Sequence, residues 1–252
     1  MITPALASVI ERRLLVNYRV EPEYAAALLP APLRPQLVNG WAVAGICLLR
    51  LGDTRPRWAP GGTGLRSENA AHRISVEWDG PEGIETGVYI PRRDSGSRLN
   101  VLAGGRVFPG RHGAAVFDVR ESPREVRIAY RTKDGSTSVS VAAEATDELR
   151  GSELFMDVDA ASEFFRQGAR GLSPARGGRR LDGMELRTDA WRVEPAEVRS
   201  VSSSFFGDPD RFPPGTARLD CALLMRDVPA RWEAFPALPD GVSAECGVAA
   251  AR

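Results

Sequence analysis

The segment 104–115, GGRVFPGRHGAA, combines residue types that could bind and act on a small anion. It contains four glycines, two arginines (Arg106 and Arg111) and His112, one of only two histidines in the chain. Glycine permits positive φ angles and close approach to a ligand, and Pro109 fixes a change of direction, so these side chains could point into a cavity. The alternative is a polar turn that only reverses the chain, because clusters of Gly and Pro mark loops more often than sites.

Metal-binding and phosphate-binding patterns are missing from the sequence. The three cysteines, Cys47, Cys221 and Cys246, form no CxxC pair and have no histidine nearby, which argues against a zinc site or a disulfide framework. Cys47 and Cys221 lie inside apolar runs and are predicted to be small core residues, with a nucleophilic role as the alternative. The stretch PGGTG at 60–64 lacks the lysine and the following Ser or Thr of a phosphate loop. We therefore expect no metal and no cofactor.

Charge and length narrow the class of protein. With 33 basic and 33 acidic residues the formal charge is zero, so neither nucleic acid nor an anionic membrane is expected as a partner. No apolar run approaches the ~18 residues of a membrane span, and the N-terminus lacks the pattern of a signal peptide, so the expected location is the cytoplasm. A chain of 252 residues lies near the upper limit of one hydrophobic core. We predict a single domain over 1–240 and a frayed tail over 241–252.

Hydrophobic patterning predicts strands around these residues. Segment 9–19 predicts a first strand, prolines bound a short helix over 22–29, and the apolar run 41–49 indicates a strand buried on both faces. Residues 72–78 alternate in polarity. One face of this strand carries His72, Ile74, Val76 and Trp78, and the other carries Arg73, Ser75 and Glu77.

The second half of the chain predicts more strands joined by short turns. They cover ETGVYIP, AAVFDV, EVRIAYR, TSVSVAA, ELRTDAWRV, AEVRSVSSSFF and ARLDCALLMR. Lys133, the only lysine, falls at the tip of an Asp-Gly hairpin. A helix is predicted over 157–168, capped by Asp159 and closed by Gly168, and a short one near 228–235.

Two stretches rich in Gly, Pro and Arg, 51–67 and 170–180, are predicted to be loops. A long connection without secondary structure in a compact domain is typically either a functional flap or a surface excursion, so both are candidate lids. Roughly ten closely spaced strands without regular alternation of strand and helix indicate a mainly antiparallel α+β domain.

Several segments together resemble acetoacetate decarboxylase. NYRVEPEYAAALLPAPL resembles its helix-entry segment, RSENAAHRISVEW its glutamate-bearing strand, VLAGGRV the turn that leads to its lysine, and VRSVSSSFF its C-terminal segment. The segments VNGWAVAGICLLRLGDTRPRW, SENAAHRI, DAWRVEP and FPPGTARLDCALLMRDVPARWE are similar to the YqjF-like branch of that superfamily, whose function is unknown. The resemblance implies a mainly antiparallel cone-like or barrel-like sheet around an internal pocket, with a few short helices.

The resemblance implies the fold but not the decarboxylase reaction. That reaction depends on a lysine, activated by its surroundings, that forms a Schiff base with the keto acid. Where the resemblance places this lysine, the sequence has the segment 110–113, Gly-Arg-His-Gly. Arginine stays protonated, histidine forms no stable imine, and Lys133 is predicted at an exposed hairpin tip. Schiff-base catalysis is therefore not expected.

One functional residue carries over from the resemblance, because Glu68 falls where the family has an active-site glutamate. Glu68 could act as a general acid or base, orient an arginine or histidine, or pair with an arginine in a purely structural role. Arg106 or Arg111 would hold an anionic group. Glu68, with His72 or His112, would move a proton. The expected pocket lining comprises Glu68, Asn69, His72, Tyr89, Arg106, Arg111 and His112.

Three hypotheses follow. The first is a pocket protein that binds a small carbonyl or carboxylate metabolite and converts it by proton transfer, as a lyase or isomerase would. The second is a ligand-binding or sensing domain that kept the cavity and has no catalytic activity. The third is a structural or assembly protein, in which Glu68 and His112 would be buried in ion pairs with no cavity beside them. Association into a homo-oligomer stays open.

Overall fold

The protein is described from a computed structural model that covers residues 5–103, 108–175 and 180–239. The described chain folds into one extensively paired sheet with three short helices. In chain order the elements are β1 (Leu6–Val20), α1 (Pro22–Ala26), β2 (Arg34–Pro35), β3 (Leu37–Val38), β4 (Trp41–Pro56), β5 (Leu65–Gly80), β6 (Gly83–Tyr89), β7 (Arg92–Ser95), α2 (Arg98–Ala103), β8 (Arg111–Glu121), β9 (Glu125–Thr132), β10 (Ser138–Ala145), α3 (Val158–Gln167), β11 (Arg170–Pro174), β12 (Arg180–Arg187), β13 (Glu194–Ser203) and β14 (Ala217–Pro239).

The strands close into two rings that share β1, β4, β5 and β14. The large ring runs β5-β7-β8-β9-β10-β13-β14-β1-β4 and closes through the pairing of β4 with β5. The small ring runs β5-β6-β11-β12-β14-β1-β4, with β12 paired to β14. Among the described strands only β6–β11 and β7–β8 pair in parallel. Closure leaves few free sheet edges. The predicted mainly antiparallel, barrel-like α+β fold is confirmed.

The large ring encloses the main hydrophobic core. Side chains alternate between the two faces of a strand, so every second residue points inward. Val126, Ile128 and Tyr130 of β9 are all buried on one face, as the sequence predicted. Ile74 and Trp78 of β5 meet the same core, which confirms the alternation predicted for 72–78. The core of the large ring is therefore specified by the period-two pattern.

Helix α3 packs on the opposite face of the shared strands. Phe165 is buried against Leu15 of β1 and Leu223 of β14. The helix begins after Asp157, whose side chain accepts a hydrogen bond from the Ala160 N–H at 2.8 Å. The predicted helix is confirmed, but the cap is Asp157 rather than Asp159, because Asp157 has the extended backbone that an N-cap needs.

The prediction of a loop over 51–67 is wrong. Strand β4 continues to Pro56 and β5 starts at Leu65, which leaves only a short connection. The Asp53 carboxylate accepts hydrogen bonds from the N–H groups of Gly62 (3.0 Å) and Gly64 (2.8 Å) and draws this connection together. Pairing between strands and this local anchor override the loop-like composition.

Three other boundaries also differ from the prediction. Residues 170–174 form β11, and 176–179 lie outside the described residues, so the predicted loop over 170–180 is at least partly strand. The short helix predicted near 228–235 is wrong, because this segment is part of β14. Its pairing with β1 and β12 satisfies its backbone hydrogen bonds. The strand predicted over 185–193 ends at Arg187.

The helix predicted over 22–29 is present but ends at Ala26. The predicted tail 241–252 and Arg106 lie outside the described residues. In the part of the chain that the structure describes, no helix has the length and apolar character needed to cross a membrane.

Candidate ligand-binding site

A cavity of about 120 Å³ is lined by residues of the small ring and of the adjoining strands β7 and β8. Most of its wall is apolar, contributed by residues that include Leu49, Leu51, Ala70, Ala71, Val88, Ile90, Phe108, Met184, Leu186 and Trp232. Three arginines, Arg13, Arg73 and Arg93, complete the wall together with Asn69, Asn100 and His112. A small apolar cavity with a few convergent polar groups is the usual form of a metabolite site.

The register of the sheet explains why these side chains converge. Ala71 of β5 is opposite Cys47 of β4 on one side and Arg93 of β7 on the other. Arg93 is in turn opposite His112 of β8. Residues directly opposite one another in a sheet point to the same face. This row, with the small Ala71 at its centre, forms one side of the cavity.

Arg73 is the most deeply buried of the three arginines, with only 2% of its surface exposed. Its Nη2 donates to the Asn17 amide oxygen, and its guanidinium lies 4.6 Å from the centre of the Phe165 ring. Nε and Nη1 have no hydrogen-bond partner among the described residues. Burial lowers the pKa of Arg73 from 12.5 to about 10, so the group remains charged at neutral pH. The cavity wall thus contains a cation with two unused donors.

Gly45 allows Arg73 to reach Asn17. It is the residue opposite both of them, on the strand that separates β1 from β5. A Cβ atom at Gly45 would lie 2.5 Å from the Val16 carbonyl oxygen and 3.3 Å from the Asn17 side-chain oxygen. Because Gly45 has no side chain, the Arg73 guanidinium has space to contact the Asn17 amide.

Arg93 and His112 form the polar group at the β7–β8 side of the cavity. Arg93 donates from Nη1 to the Ser173 hydroxyl at 2.7 Å, and burial lowers its pKa to about 10. His112 Nε2 donates to the Pro109 carbonyl oxygen at 3.4 Å, which leaves Nδ1 as the nitrogen able to accept a proton. Burial, and secondarily the charge of Arg93, lower the pKa of His112 to about 4. His112 is therefore neutral at pH 7.

Arg13 comes from β1 and is half-buried. Its guanidinium lies 5.7 Å from the centre of the Trp191 ring, and its buried Nη1 has no hydrogen-bond partner among the described residues. Within the described chain, Arg13, Arg73 and Arg93 form no salt bridge with a carboxylate. The carboxylate on the cavity wall, Asp94, is bonded at 2.8 Å to Arg92 instead. The cavity wall therefore carries an excess of positive charge.

Cys47 contributes a thiol to the same wall and is half-buried, whereas Cys221 is buried against α3. Burial raises the pKa of the Cys221 thiol to about 12, so this cysteine is unreactive at neutral pH. Among the described residues, no three His, Cys, Asp or Glu side chains come together as they would around a metal ion.

Glu68 lies on the face of β5 that points away from the cavity. Its carboxylate accepts hydrogen bonds from Arg12 at 2.6 Å and from Arg50, and Glu121 bonds to the same two arginines. Only 19% of the Glu68 side chain and 2% of that of Arg12 are exposed. We call these four residues the charge cluster: Arg12, Arg50, Glu68 and Glu121. Glu68 thus pairs with arginines, which is the structural role that the sequence left open for it.

The other residues expected in the pocket divide between the cavity and other places. Asn69 and His112 line the cavity. His72 lies in the large ring, stacked on Phe205, with Nε2 3.3 Å from the Ser203 hydroxyl oxygen. Burial and nearby arginines lower the pKa of His72 to about 3. Tyr89 is buried in the main core, Arg111 is exposed at the start of β8, and Arg106 lies outside the described residues.

The three cavity arginines were not predicted as site residues. Each follows another charged or titratable residue within a strand, in the pairs Arg12-Arg13, His72-Arg73 and Arg92-Arg93. Neighbouring residues in a strand point to opposite faces, so one member of each pair points toward the cavity. Arg73 itself lies inside a strand whose two faces are both largely buried.

Solved structures of other proteins have a similar fold. Acetoacetate decarboxylase from Legionella pneumophila is 10% identical, with a TM-score of 0.61 over 94% of this chain and 88% of that chain. An acetoacetate decarboxylase-like enzyme from Sphingomonas wittichii RW1 is 13% identical, with a TM-score of 0.60 over 95% and 94%. The enduracididine biosynthesis enzyme MppR, complexed with pyruvate, is 12% identical, with a TM-score of 0.57 over 95% and 92%. The chain thus has the acetoacetate decarboxylase-like fold.

Within that class, the chain belongs to the DUF2071 family, described as an uncharacterized conserved protein, whose sequence profile matches residues 9–220. The predicted membership of an uncharacterised family with an acetoacetate decarboxylase-like fold is confirmed. No curated protein matches the sequence.

Proposed function

We propose that this protein binds a small oxo-carboxylate metabolite in the arginine-lined cavity. The observation that carries the proposal is the set of Arg13, Arg73 and Arg93 on the wall of a small apolar cavity, without a carboxylate partner in the described chain. An uncompensated buried charge costs several kcal/mol, so a fold that keeps one commonly uses it for a ligand. A carboxylate matches the guanidinium fork and would occupy its unused donors.

The size and chemistry of the cavity support a compact ligand. About 120 Å³ is less than the ~300–1,000 Å³ of sites for drug-sized molecules. At roughly 15 Å³ for each water-sized group, it has space for about eight such groups. The apolar wall excludes water, which strengthens the interaction between a guanidinium and a carboxylate. The amide N–H groups of Asn69 and Asn100 donate to Ser67, so these two residues hold this side of the cavity wall in place.

The similar structures support the same ligand class. Acetoacetate decarboxylase is named for a small oxo acid, and the MppR structure is a complex with pyruvate, another small oxo acid. At identities of 10–13% the likeness of these proteins to this chain extends to the fold only. The proposed ligand class therefore rests on the cavity arginines.

A Schiff-base mechanism is not part of the proposal. Lys133, the only lysine, is exposed at the hairpin between β9 and β10 and is not on the cavity wall. The protein would therefore bind its ligand through charge and hydrogen bonds rather than as an imine.

Calorimetric titration with pyruvate and acetoacetate tests the binding proposal, with pyruvamide and acetone as uncharged controls. We expect saturable binding of the two acids and at least tenfold weaker binding of the uncharged compounds. Arg73→Met should weaken acid binding at least tenfold, whereas Arg111→Met, a change at an exposed arginine outside the cavity, should leave it unchanged. Equal affinity for acids and uncharged analogues, or no binding of any small carboxylate, would contradict the proposal.

Proton transfer is the second candidate function, favoured by the position of His112. Its imidazole is neutral at pH 7 and lies on the wall beside Arg93, which could stabilise an enolate oxygen. The measurement is exchange of the methyl protons of pyruvate in deuterated water, followed by proton NMR. We expect exchange faster than in buffer alone, lost in His112→Gln while binding persists. Exchange at the buffer rate would leave a binding protein without catalytic activity.

A further inference from the structure

Cys47 is a nucleophilic side chain on the cavity wall that the proposed binding of an oxo acid does not use. It lies near the middle of β4 and is half-buried. Cys221, the other cysteine of the described chain, is buried against α3, and its sulfur accepts a hydrogen bond from the Asn17 amide at 3.5 Å. Of these two thiols, Cys47 is therefore the one that a ligand in the cavity can contact.

The strand register places Cys47 beside Arg73. Cys47 is directly opposite Ala71, and Arg73 is two residues further along β5. Such diagonal neighbours are roughly 7–8 Å apart in an antiparallel pair, within reach of a long side chain. The Arg73 guanidinium passes over Gly45, two residues from Cys47 on β4, to reach Asn17. The thiol and the guanidinium therefore share one patch of the cavity wall.

Arg93 adds positive charge on the other side of Ala71. It is the residue opposite Ala71 on β7, and Ala71 places only a methyl group between Arg93 and Cys47. Burial lowers the pKa of both Arg73 and Arg93 to about 10, and the charge of a thiolate at Cys47 acts on both in the opposite direction. Both guanidinium groups remain charged at neutral pH. They attract anionic compounds to the patch and would stabilise an oxygen that becomes negative there.

Arg73 also has the donors to hold a ligand next to the thiol. Only 2% of its surface is exposed, and its Nε and Nη1 have no hydrogen-bond partner among the described residues. A ligand carboxylate would occupy these donors. In a 2-oxo acid the oxo carbon is bonded directly to the carboxylate carbon. Binding of the carboxylate at Arg73 therefore keeps the oxo carbon within the patch that contains the Cys47 sulfur.

We propose that Cys47 is the nucleophile of this cavity and adds reversibly to the oxo carbon of a 2-oxo acid whose carboxylate is held by Arg73. This inference rests on the proposed function and goes one step beyond binding. In the addition a bond forms between Sγ and the oxo carbon, and the π bond of the carbonyl group breaks. The thiol gives up its proton and the carbonyl oxygen gains one. The product is a thiohemiketal, the step needs no further reactant, and its reversal releases the ligand.

Two alkylating agents of similar size test the arrangement of thiol and arginine without a metabolite. Iodoacetate carries a carboxylate and iodoacetamide is uncharged, and peptide mass spectrometry measures the rate of each at Cys47 in the full-length protein at pH 7.5. The ratio of the iodoacetate rate to the iodoacetamide rate should be at least tenfold higher at Cys47 than for free glutathione. Arg73→Met should reduce this preference to less than threefold, and Arg111→Met should keep it. A ratio equal to that of glutathione, or a preference that persists in Arg73→Met, would overturn the inference.

Carbon NMR with pyruvate isotopically labelled at its oxo carbon tests the addition itself. Formation of a thiohemiketal moves the resonance from the ketone range to that of a tetrahedral carbon bonded to sulfur and oxygen. We expect this signal with the wild-type protein and its loss in Cys47→Ala, while calorimetry still detects binding of pyruvate to that variant.

The outcomes distinguish this inference from the proposed function. If pyruvate binds and the tetrahedral signal is missing from the wild-type protein, the addition is overturned and the proposed function stands. If the signal persists in Cys47→Ala, the assignment of the nucleophile to Cys47 is overturned. If neither pyruvate nor any other small oxo acid binds, both proposals fail.

Discussion

Replacing Arg73 with methionine should leave the ligand-free protein as stable as before or make it more stable. A pKa lowered from 12.5 to about 10 corresponds to about 3 kcal/mol against the charged form, at 1.36 kcal/mol per pKa unit. This destabilisation is fully present at pH 7, below both pKa values, and fades as the pH rises through 10 towards 12.5. Methionine fills much of the same volume without a charge.

Two contacts of Arg73 that methionine would lose reduce the expected gain in stability. The hydrogen bond to Asn17 contributes about 1 kcal/mol, and the stacking of the guanidinium on Phe165 contributes up to about 2 kcal/mol in a desolvated site. The expected change in the free energy of unfolding therefore lies between zero and about 2 kcal/mol in favour of Arg73→Met. Urea unfolding at pH 7.5, followed by tryptophan fluorescence and circular dichroism, measures it.

Arg12 provides a matched control. It is as buried as Arg73, at 2% exposure, but it is paired with Glu68 and Glu121. Arg12→Met would leave these carboxylates with Arg50 alone, and breaking a buried pair in this way should cost about 2–4 kcal/mol. A loss above about 2 kcal/mol for Arg73→Met, similar to that for Arg12→Met, would refute the reasoning, because it would show that Arg73 stabilises the fold in the ligand-free state.

Three further predictions follow from the positions of single residues. Glu68→Gln should lower the free energy of unfolding by about 1–3 kcal/mol and change ligand affinity less than threefold. As a control, Glu163→Gln, at an exposed ion pair on α3, should change the free energy of unfolding by less than about 0.5 kcal/mol. A large loss of affinity with unchanged stability would instead show that Glu68 acts on the ligand. Labelling with iodoacetamide at pH 7.5, measured by peptide mass spectrometry, should be slower at Cys47 in the presence of ligand. Cys221 should stay unlabelled in the native protein. Rapid labelling of the buried Cys221 would contradict the structure. Borohydride added with acetoacetate should give no reduced adduct at Lys133, and a trapped adduct there would show that the hairpin lysine is reactive.

The cores and most strands could be predicted from the sequence because their information is local. The alternation over 72–78 and in β9 depends only on the period of a strand, and the structure buries the predicted residues. The turn at Lys133 follows from its Asp-Gly pair in the same way. Errors arose where pairing between distant strands decided the outcome, as in β14, which continues through 228–235 because β1 and β12 pair with it.

Glu68 illustrates the limit of an argument from resemblance. The sequence places a glutamate on the predicted strand but does not say which face of the closed sheet it will occupy. A shift of one residue in a strand moves a side chain to the opposite face. In the structure Glu68 belongs to the charge cluster, and its neighbour Asn69 lines the cavity.

The sequence by itself determined a mainly antiparallel α+β chain and the absence of a second lysine. It also placed His112 beside a glycine-rich bend. Only the tertiary structure decided which charges meet. Arg13, Arg73 and Arg93 are far apart along the chain, and they share a cavity because β1 and β5 both pair with β4, and β7 pairs with β5. Burial without a carboxylate partner depends on all the surrounding strands at once, and it is this environment that makes the three arginines a candidate site.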